Sequence, residues 1–471
     1  MARSFARVVT MKESVEFLRR YRAKTTPERR ALDIVTIAIF FLGFAGQGVR
    51  NIVGFYGSSV VMVTLFVALA YLMHLNQIRF TQAAYPLATL LFVMWCALSV
   101  IWSQYPHYSA MFAVVTIGVT LTGLAISACY TFTETANLLI VSFKVILIVS
   151  YALELFTALI WKQRLAPIPM IRAGEYVPDM SYWVYGDLFN GGPIQGFPGN
   201  RNPLAFIALL LILCLLVKWM STYKNTTSTI IWLIISIVTI ALTRSGTVTV
   251  AVIICMAIAM SFGLVKSVTR PHRPALISLI TSLTLTGAVI ALFNRLAITD
   301  FLGRSPDFSG RGDIWKALVP MWSQHPILGW GFTIGYQGDV PVFSNFIRRG
   351  DGTPTTQAHN SFIEALFQTG IIGVSILSVA VATVFFGTFI YAVRHIDESR
   401  RVVMPAMIAS ALIIQSTVES RLLFEGNWIL FVILAAWVAK KQPFASLFAK
   451  YGPFKRLANW SLSRGQGMMN P

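Results

Sequence analysis

Apolar residues run along this chain in blocks of roughly 20, enough to cross about 30 Å of hydrocarbon as helix, with polar turns between them. The pattern predicts spans at roughly 31–47, 52–74, 83–102, 108–130, 136–161, 203–220, 228–243, 246–265, 274–293, 371–393, 402–421 and 426–439. The break between the seventh and eighth rests on Thr243-Arg244-Ser245-Gly246, because an arginine is costly at the hydrocarbon centre and tolerable at an interface. Gly, Ser and Thr recur inside the blocks, as in helices that pack closely in lipid. The expected fold is all-α, a single polytopic membrane helix bundle of about 12 spans over 31–440.

Two segments are too long to be simple turns, at about 162–202 and about 294–360. Both mix Gly, Pro and Asn with Trp, Tyr and charges of either sign, so they are structured loops rather than disordered ones. In the second, Asp313 is placed to cap a short helix carrying Trp315, Leu318 and Trp322 on one face, suited to lying in the membrane interface. His325-Pro326 to Gly331 reads as a Gly-rich turn. Ser361-Phe362-Ile363-Glu364 matches a capping box that starts a helix just after His359 and Asn360. That helix is longer than one straight span requires, and a bend is expected near Gly370 and Gly373.

Composition agrees with a bilayer protein: of 471 residues, 56% are hydrophobic and 12% charged, and the mean hydropathy is +0.67. The net charge of +19 is explained by where Lys and Arg fall. With both tails on the cytoplasmic side, about 24 of the 38 lie in the N-tail 1–30, the turns on that side and the C-tail 441–471. The two long loops then face outward from the membrane, the second lying between spans nine and ten. Membrane lipids are expected partners of the basic tails and nucleic acid is not. The N-terminal basic stretch runs through Arg29-Arg30 before any apolar block, so no cleavable signal is expected. Cys96, Cys129, Cys214 and Cys255 each sit in an apolar run without CxxC spacing and read as buried hydrophobes.

There is no phosphate-binding GxxxxGK[ST], no HExxH and no cytoplasmic acidic pair to hold a divalent ion against a nucleotide sugar. Arg201, Arg244 and Arg311 instead stand near helix ends on the outer side. Each can grip phosphate oxygens through its planar fork, and each can equally snorkel to headgroups or cap a helix. His359 is the natural proton acceptor, and Asn360 suits a cap or an orienting group. Lys144, Glu154 and Glu419 are ionisable groups at lipid depth; Lys144 and Glu154, ten positions apart, point to different faces. Glu419, near the outer end, is placed to join or anchor the arginines.

Phe308-Ser309-Gly310-Arg311-Gly312-Asp313-Ile314-Trp315, then Pro326-Ile327-Leu328-Gly329-Trp330-Gly331, then Ala358-His359-Asn360-Ser361-Phe362-Ile363-Glu364 and Gly370-Ile371-Ile372-Gly373, resembles the signature of the O-antigen ligase and O-antigen polymerase superfamily. Gly199-Asn200-Arg201-Asn202-Pro203 and Leu242-Thr243-Arg244-Ser245-Gly246 resemble its two earlier membrane-edge motifs. The resemblance implies a metal-independent membrane glycosyltransferase of type C, without cofactor. Its donor would be a glycan on undecaprenyl pyrophosphate and its acceptor a sugar hydroxyl on a glycan or glycolipid. By the same resemblance Arg201, Arg244 and Arg311 engage the pyrophosphate, His359 assists the acceptor, and Asn360 and Glu419 support the site. The shared motifs leave ligase and polymerase open, with a lean to ligase. A lipid-linked-sugar flippase is the competing class, disfavoured because no inverted repeat is visible.

Overall fold

The computed structural model describes residues 26–174, 176–222, 226–294, 311–344 and 355–445. Most of both basic tails and the motif residues 308–310 lie outside the described residues. Among the described residues fourteen α-helices follow in order: α1 Pro27–Leu75, α2 Leu87–Leu98, α3 Pro106–Cys129, α4 Phe132–Leu155, α5 Ile168–Ala173, α6 Arg201–Thr222, α7 Thr226–Thr243, α8 Gly246–Ser267, α9 Arg273–Phe293, α10 Arg311–Trp322, α11 Pro341–Ser344, α12 Ser361–His395, α13 Met404–Ser416 and α14 Glu425–Lys441. Among the described residues there is no strand, only an isolated bridge between Leu165 and Val184. Seven of these helices are long and apolar enough to cross a membrane: α1, α3, α4, α6, α7, α8 and α12. The tally falls below the twelve expected spans: α1 is counted once, α2, α13 and α14, with 12, 13 and 17 residues, are short, and α9 is not among the seven.

The first helix is folded in two. Arg29 donates to the Cys129 carbonyl at the end of α3 at 3.1 Å, while Phe66 packs 3.6 Å from where a side chain on Gly118, halfway along α3, would begin. A straight helix would separate residues 29 and 66 by about 56 Å, yet their contacts on α3 are only about 17 Å apart along its axis. Gly54, at φ 75° and ψ −178°, is the point of return. The two arms correspond to the first two expected blocks.

Two helices form the centre. Nearly every residue of α14 from Gly426 to Val438, and of α6 from Leu204 to Val217, is buried. Apolar residues run all round both helices, as befits helices surrounded by others. Gly43 and Gly426 let α1 and α14 touch backbone to backbone, since a Cβ on Gly43 would lie 2.8 Å from the Gly426 Cα.

The segment between α10 and α12 caps one end of the bundle with a second small core, built from Tyr105, Leu318, Trp330, Tyr336, Phe343 and Phe367 among others. It is pinned to the turn after α2: Gln104 N donates to the Trp330 carbonyl at 3.0 Å, and the Tyr105 hydroxyl to that of Gly331 at 2.7 Å. The apolar face of α10 therefore packs down onto protein, with Leu318 buried, rather than floating in the interface.

The expected bend in α12 occurs at Gly370, φ 65° and ψ −170°, whereas Gly373 stays helical. Breaking the helix frees carbonyls, and the Gly-rich turn takes them up: Trp330 N and Gly331 N donate to Phe367 and Gln368 carbonyls at 3.1 and 2.9 Å. Ile371 N in turn donates to the Pro326 carbonyl at 3.0 Å. Two motifs 40 residues apart in the chain are one structural joint.

Candidate active site

Helices α6, α8 and α12 present their N-termini at the capped end of the bundle, each carrying the partial positive charge of unpaired N–H groups. The entry to α8 follows the expected break: Thr243 ends α7, Arg244 takes a left-handed φ of 49°, and the Ser245 side chain accepts from Val248 N at 3.4 Å. The entry to α12 repeats it with His359 at φ 53°. Here the cap is Asn360, whose Oδ1 accepts from Phe362 N and Ile363 N at 2.9 and 3.1 Å. The capping box expected at Ser361 and Glu364 does not form: the Ser361 hydroxyl donates to the Glu419 carbonyl at 2.9 Å, and Glu364 turns elsewhere. Asp313, expected as a cap, lies within the first turn of α10, which begins at Arg311.

Helix α13 ends at Ser416, short of the span expected to reach 421, so Glu419 lies in the connector before α14. It is the centre of the site. Its Oε1 accepts from Arg311 Nη2 and Asn202 Nδ2, both at 2.9 Å, and its Oε2 faces His359 Nδ1 at 3.0 Å. Asn202 Oδ1 accepts in turn from the Ser245 hydroxyl at 2.8 Å. Burial would raise the Glu419 carboxyl, but the His359 hydrogen bond and the charges of Arg311 and Arg421 outweigh it and hold the group below its ordinary value. An ionised carboxylate is an acceptor only, so the imidazole must place its proton on Nδ1 and its lone pair on Nε2.

The arginines divide into two kinds. Arg311 is engaged with Glu419 and its side chain is only 16% exposed. Arg201, opening α6, and Arg244, before α8, are exposed, and among the described residues neither guanidinium has a hydrogen-bond or ion-pair partner. They stand beside Asn202 and Ser245, the two residues that link α6 and α8 to Glu419. Gly191 in the first long loop makes room for one of them, since a Cβ there would lie 3.0 Å from Arg244 Nη2.

Glu154 and Lys144 stand apart. Glu154 accepts from Gln195 N and Gly196 N, both at 2.8 Å, and so ties the first long loop to α4. Lys144 lies over the Trp232 ring at 5.1 Å. Among the described residues no group of His, Cys, Asp and Glu is arranged to hold a metal ion.

Residues 229–378 match the family model for O-antigen ligase. The resemblance to the O-antigen ligase and polymerase superfamily read from the motifs holds for this stretch, which carries Arg244, Arg311, His359 and Asn360. Glu419 lies outside the matched stretch and joins its residues through space, and Arg201 lies outside it beside Asn202, which donates to Glu419. Comparison with curated proteins gives no match. At its coarse level, the O-antigen ligase match indicates a membrane enzyme of bacterial surface-polysaccharide synthesis, of ligase or polymerase type.

Proposed function

We propose that the chain transfers a glycan from undecaprenyl pyrophosphate to a sugar hydroxyl at the outer face of the inner membrane, as an O-antigen ligase. The observation that carries this reading is the His359–Glu419–Arg311 cluster, tied through Asn202 and Ser245 to the chain positions beside Arg201 and Arg244, whose guanidinium groups have no partner among the described residues. A base oriented by a buried carboxylate, beside cations free to hold a diphosphate, is what this transfer requires.

Arg201 and Arg244, over the positive ends of α6 and α8, hold the pyrophosphate oxygens, and Arg311 offers the N–H groups that Glu419 leaves unused. The acceptor hydroxyl attacks the anomeric carbon as its proton passes to His359 Nε2. The bond from that carbon to the pyrophosphate oxygen breaks, and undecaprenyl pyrophosphate leaves with the electron pair. Glu419 stabilises the imidazolium so formed. One direct displacement inverts the anomeric centre, and no covalent intermediate is needed.

The test is transfer from purified undecaprenyl-pyrophosphate glycan by the protein in lipid vesicles. His359→Ala should lower turnover by about 10²- to 10⁴-fold while the protein still inserts and folds. Retained turnover, or dependence on ATP or a divalent ion, overturns the mechanism. Surface glycans of cells lacking the protein separate the two types: loss of all long chains from their anchor marks a ligase, and single repeat units left on the anchor mark a polymerase.

A further inference from the structure

Glu364 is fully buried and its carboxylate reaches back beneath the His359 turn. One oxygen, Oε2, accepts from Ala358 N at 2.6 Å and from the Ser420 hydroxyl at 2.8 Å; Oε1 accepts from Gln368 Nε2 at 2.7 Å. Ala358 immediately precedes His359 and Ser420 immediately follows Glu419. Ser420 Oγ also accepts from Asn360 N at 3.2 Å. The backbone N–H groups on both sides of His359 are thus fastened to the connector that carries Glu419, that of Asn360 at the Ser420 hydroxyl and that of Ala358 through the Glu364 carboxylate to which Ser420 also donates.

We propose that Glu364 is a positioning residue that clasps the His359 turn to the Glu419 connector and so sets the distance between base and carboxylate. This rests on the transfer reading above. The left-handed conformation of His359 is disfavoured for a residue with a side chain, and it persists only where surrounding contacts impose it. A carboxylate suits the clasp because one of its oxygens takes two donors while the other stays available to Gln368. Glu364 touches neither His359 nor Glu419 side chains in any hydrogen bond, so its effect passes through backbone placement.

The experiment is a double-mutant cycle on the full-length protein in vesicles, with kcat and donor KM measured separately. Glu364→Ala is expected to lower kcat by about 10- to 100-fold, the range for partners that orient a reacting group, with donor KM within about twofold. Glu364→Gln, which keeps an oxygen for Ala358 N and Ser420 but turns its amide N–H₂ toward Gln368 Nε2, should recover part of the rate. In a His359→Ala background, Glu364→Ala should cost less than about a further twofold, because no base is left to place. Should Glu364→Ala fail to fold, Ser420→Ala opens the same clasp more gently and is expected to show a smaller kcat loss with the same non-additivity. Equal losses in both backgrounds, or a KM that rises in step with the fall in kcat, would overturn the clasp while leaving the base role of His359 standing. A wild-type rate in His359→Ala alone would overturn both.

Discussion

Replacing Glu419 by glutamine changes one oxygen for an amide group and almost nothing in volume, yet it should be among the most damaging substitutions in the protein. The amide oxygen can still take Arg311 Nη2 and Asn202 Nδ2, which lie 2.9 Å from Oε1. The amide N–H₂ then faces His359 Nδ1, which the carboxylate meets at 3.0 Å. A donor now meets a donor, and the imidazole relieves the conflict by moving its proton to Nε2, the nitrogen needed as base. Where a carboxylate that fixes a catalytic histidine is made an amide, loss of the correct tautomer costs about 10⁴ in kcat. A fall of about 10³- to 10⁴-fold is expected here, about 4–5.5 kcal/mol of transition-state stabilisation. Arg311 would also lose its counter-charge with its side chain only 16% exposed, a loss of about 1–3 kcal/mol in folding stability. The assay is initial transfer rate at saturating donor, with thermal unfolding in detergent measured alongside. Donor KM should change by no more than a few-fold. A variant that keeps a tenth of the wild-type kcat would refute the tautomer argument.

Arg244→Lys and Arg201→Lys should each raise donor KM about tenfold in transfer assays, because a point charge replaces a bidentate fork; an unchanged KM removes that residue from the pyrophosphate site. Gly370→Ala should lower stability by at least about 2 kcal/mol, read as melting temperature, since its Cβ would meet the Ile327 carbonyl oxygen at 2.0 Å in a left-handed conformation. At the other end of the bundle, hydrogen bonds from Arg273 and then Arg270 hold Asp397 down to about 2. A carboxylate depressed in the folded state stabilises above its ordinary value and loses that contribution as pH falls through the depressed one. Asp397→Asn should therefore lower the melting temperature at pH 7 and converge on wild type near pH 2; equal losses at both pH values would show that packing, not charge, is at issue.

Hydropathy and turn chemistry made much of this architecture legible. The Thr243–Gly246 break was readable because arginine and glycine together are incompatible with a continuous buried helix, and the Gly370 bend because the helix was too long for one crossing. The charged residues of the candidate site were singled out by type and by their nearness to helix ends, and the structure brings Arg311, His359 and Glu419 together. What the sequence hid was local alternatives with the same pattern. Ser361-x-x-Glu364 fits a capping box as well as it fits a cap at Asn360 with a glutamate free to turn inward; only the Ala358 and Ser420 partners decide between them. Asn202 and Ser245 gave no signal, since small polar residues at helix ends are common caps, and their mutual hydrogen bond spans 43 positions. Nor does periodicity reveal that α10 packs on protein, because an apolar face looks the same toward lipid or toward Phe343.

The two left-handed residues of the site share one construction: a strained residue, a small polar cap, then a helix, in Arg244-Ser245-Gly246 and His359-Asn360-Ser361. Such a conformation costs about 1 kcal/mol or more, and the cap already satisfies the first N–H groups of the helix. Arg201, at the start of α6, is unfavourably placed, since a cation in the first turn opposes the helix dipole by about 0.3–1 kcal/mol, and Arg244 stands one residue before the cap of α8. Glu419 is already committed to Arg311 and His359, and among the described residues neither Arg201 nor Arg244 has an anionic partner. A diphosphate would supply one, whereas a neutral sugar would not. Under the proposed function, electrostatic selection would thus be for the pyrophosphate of the donor, with the choice of glycan made by other surfaces.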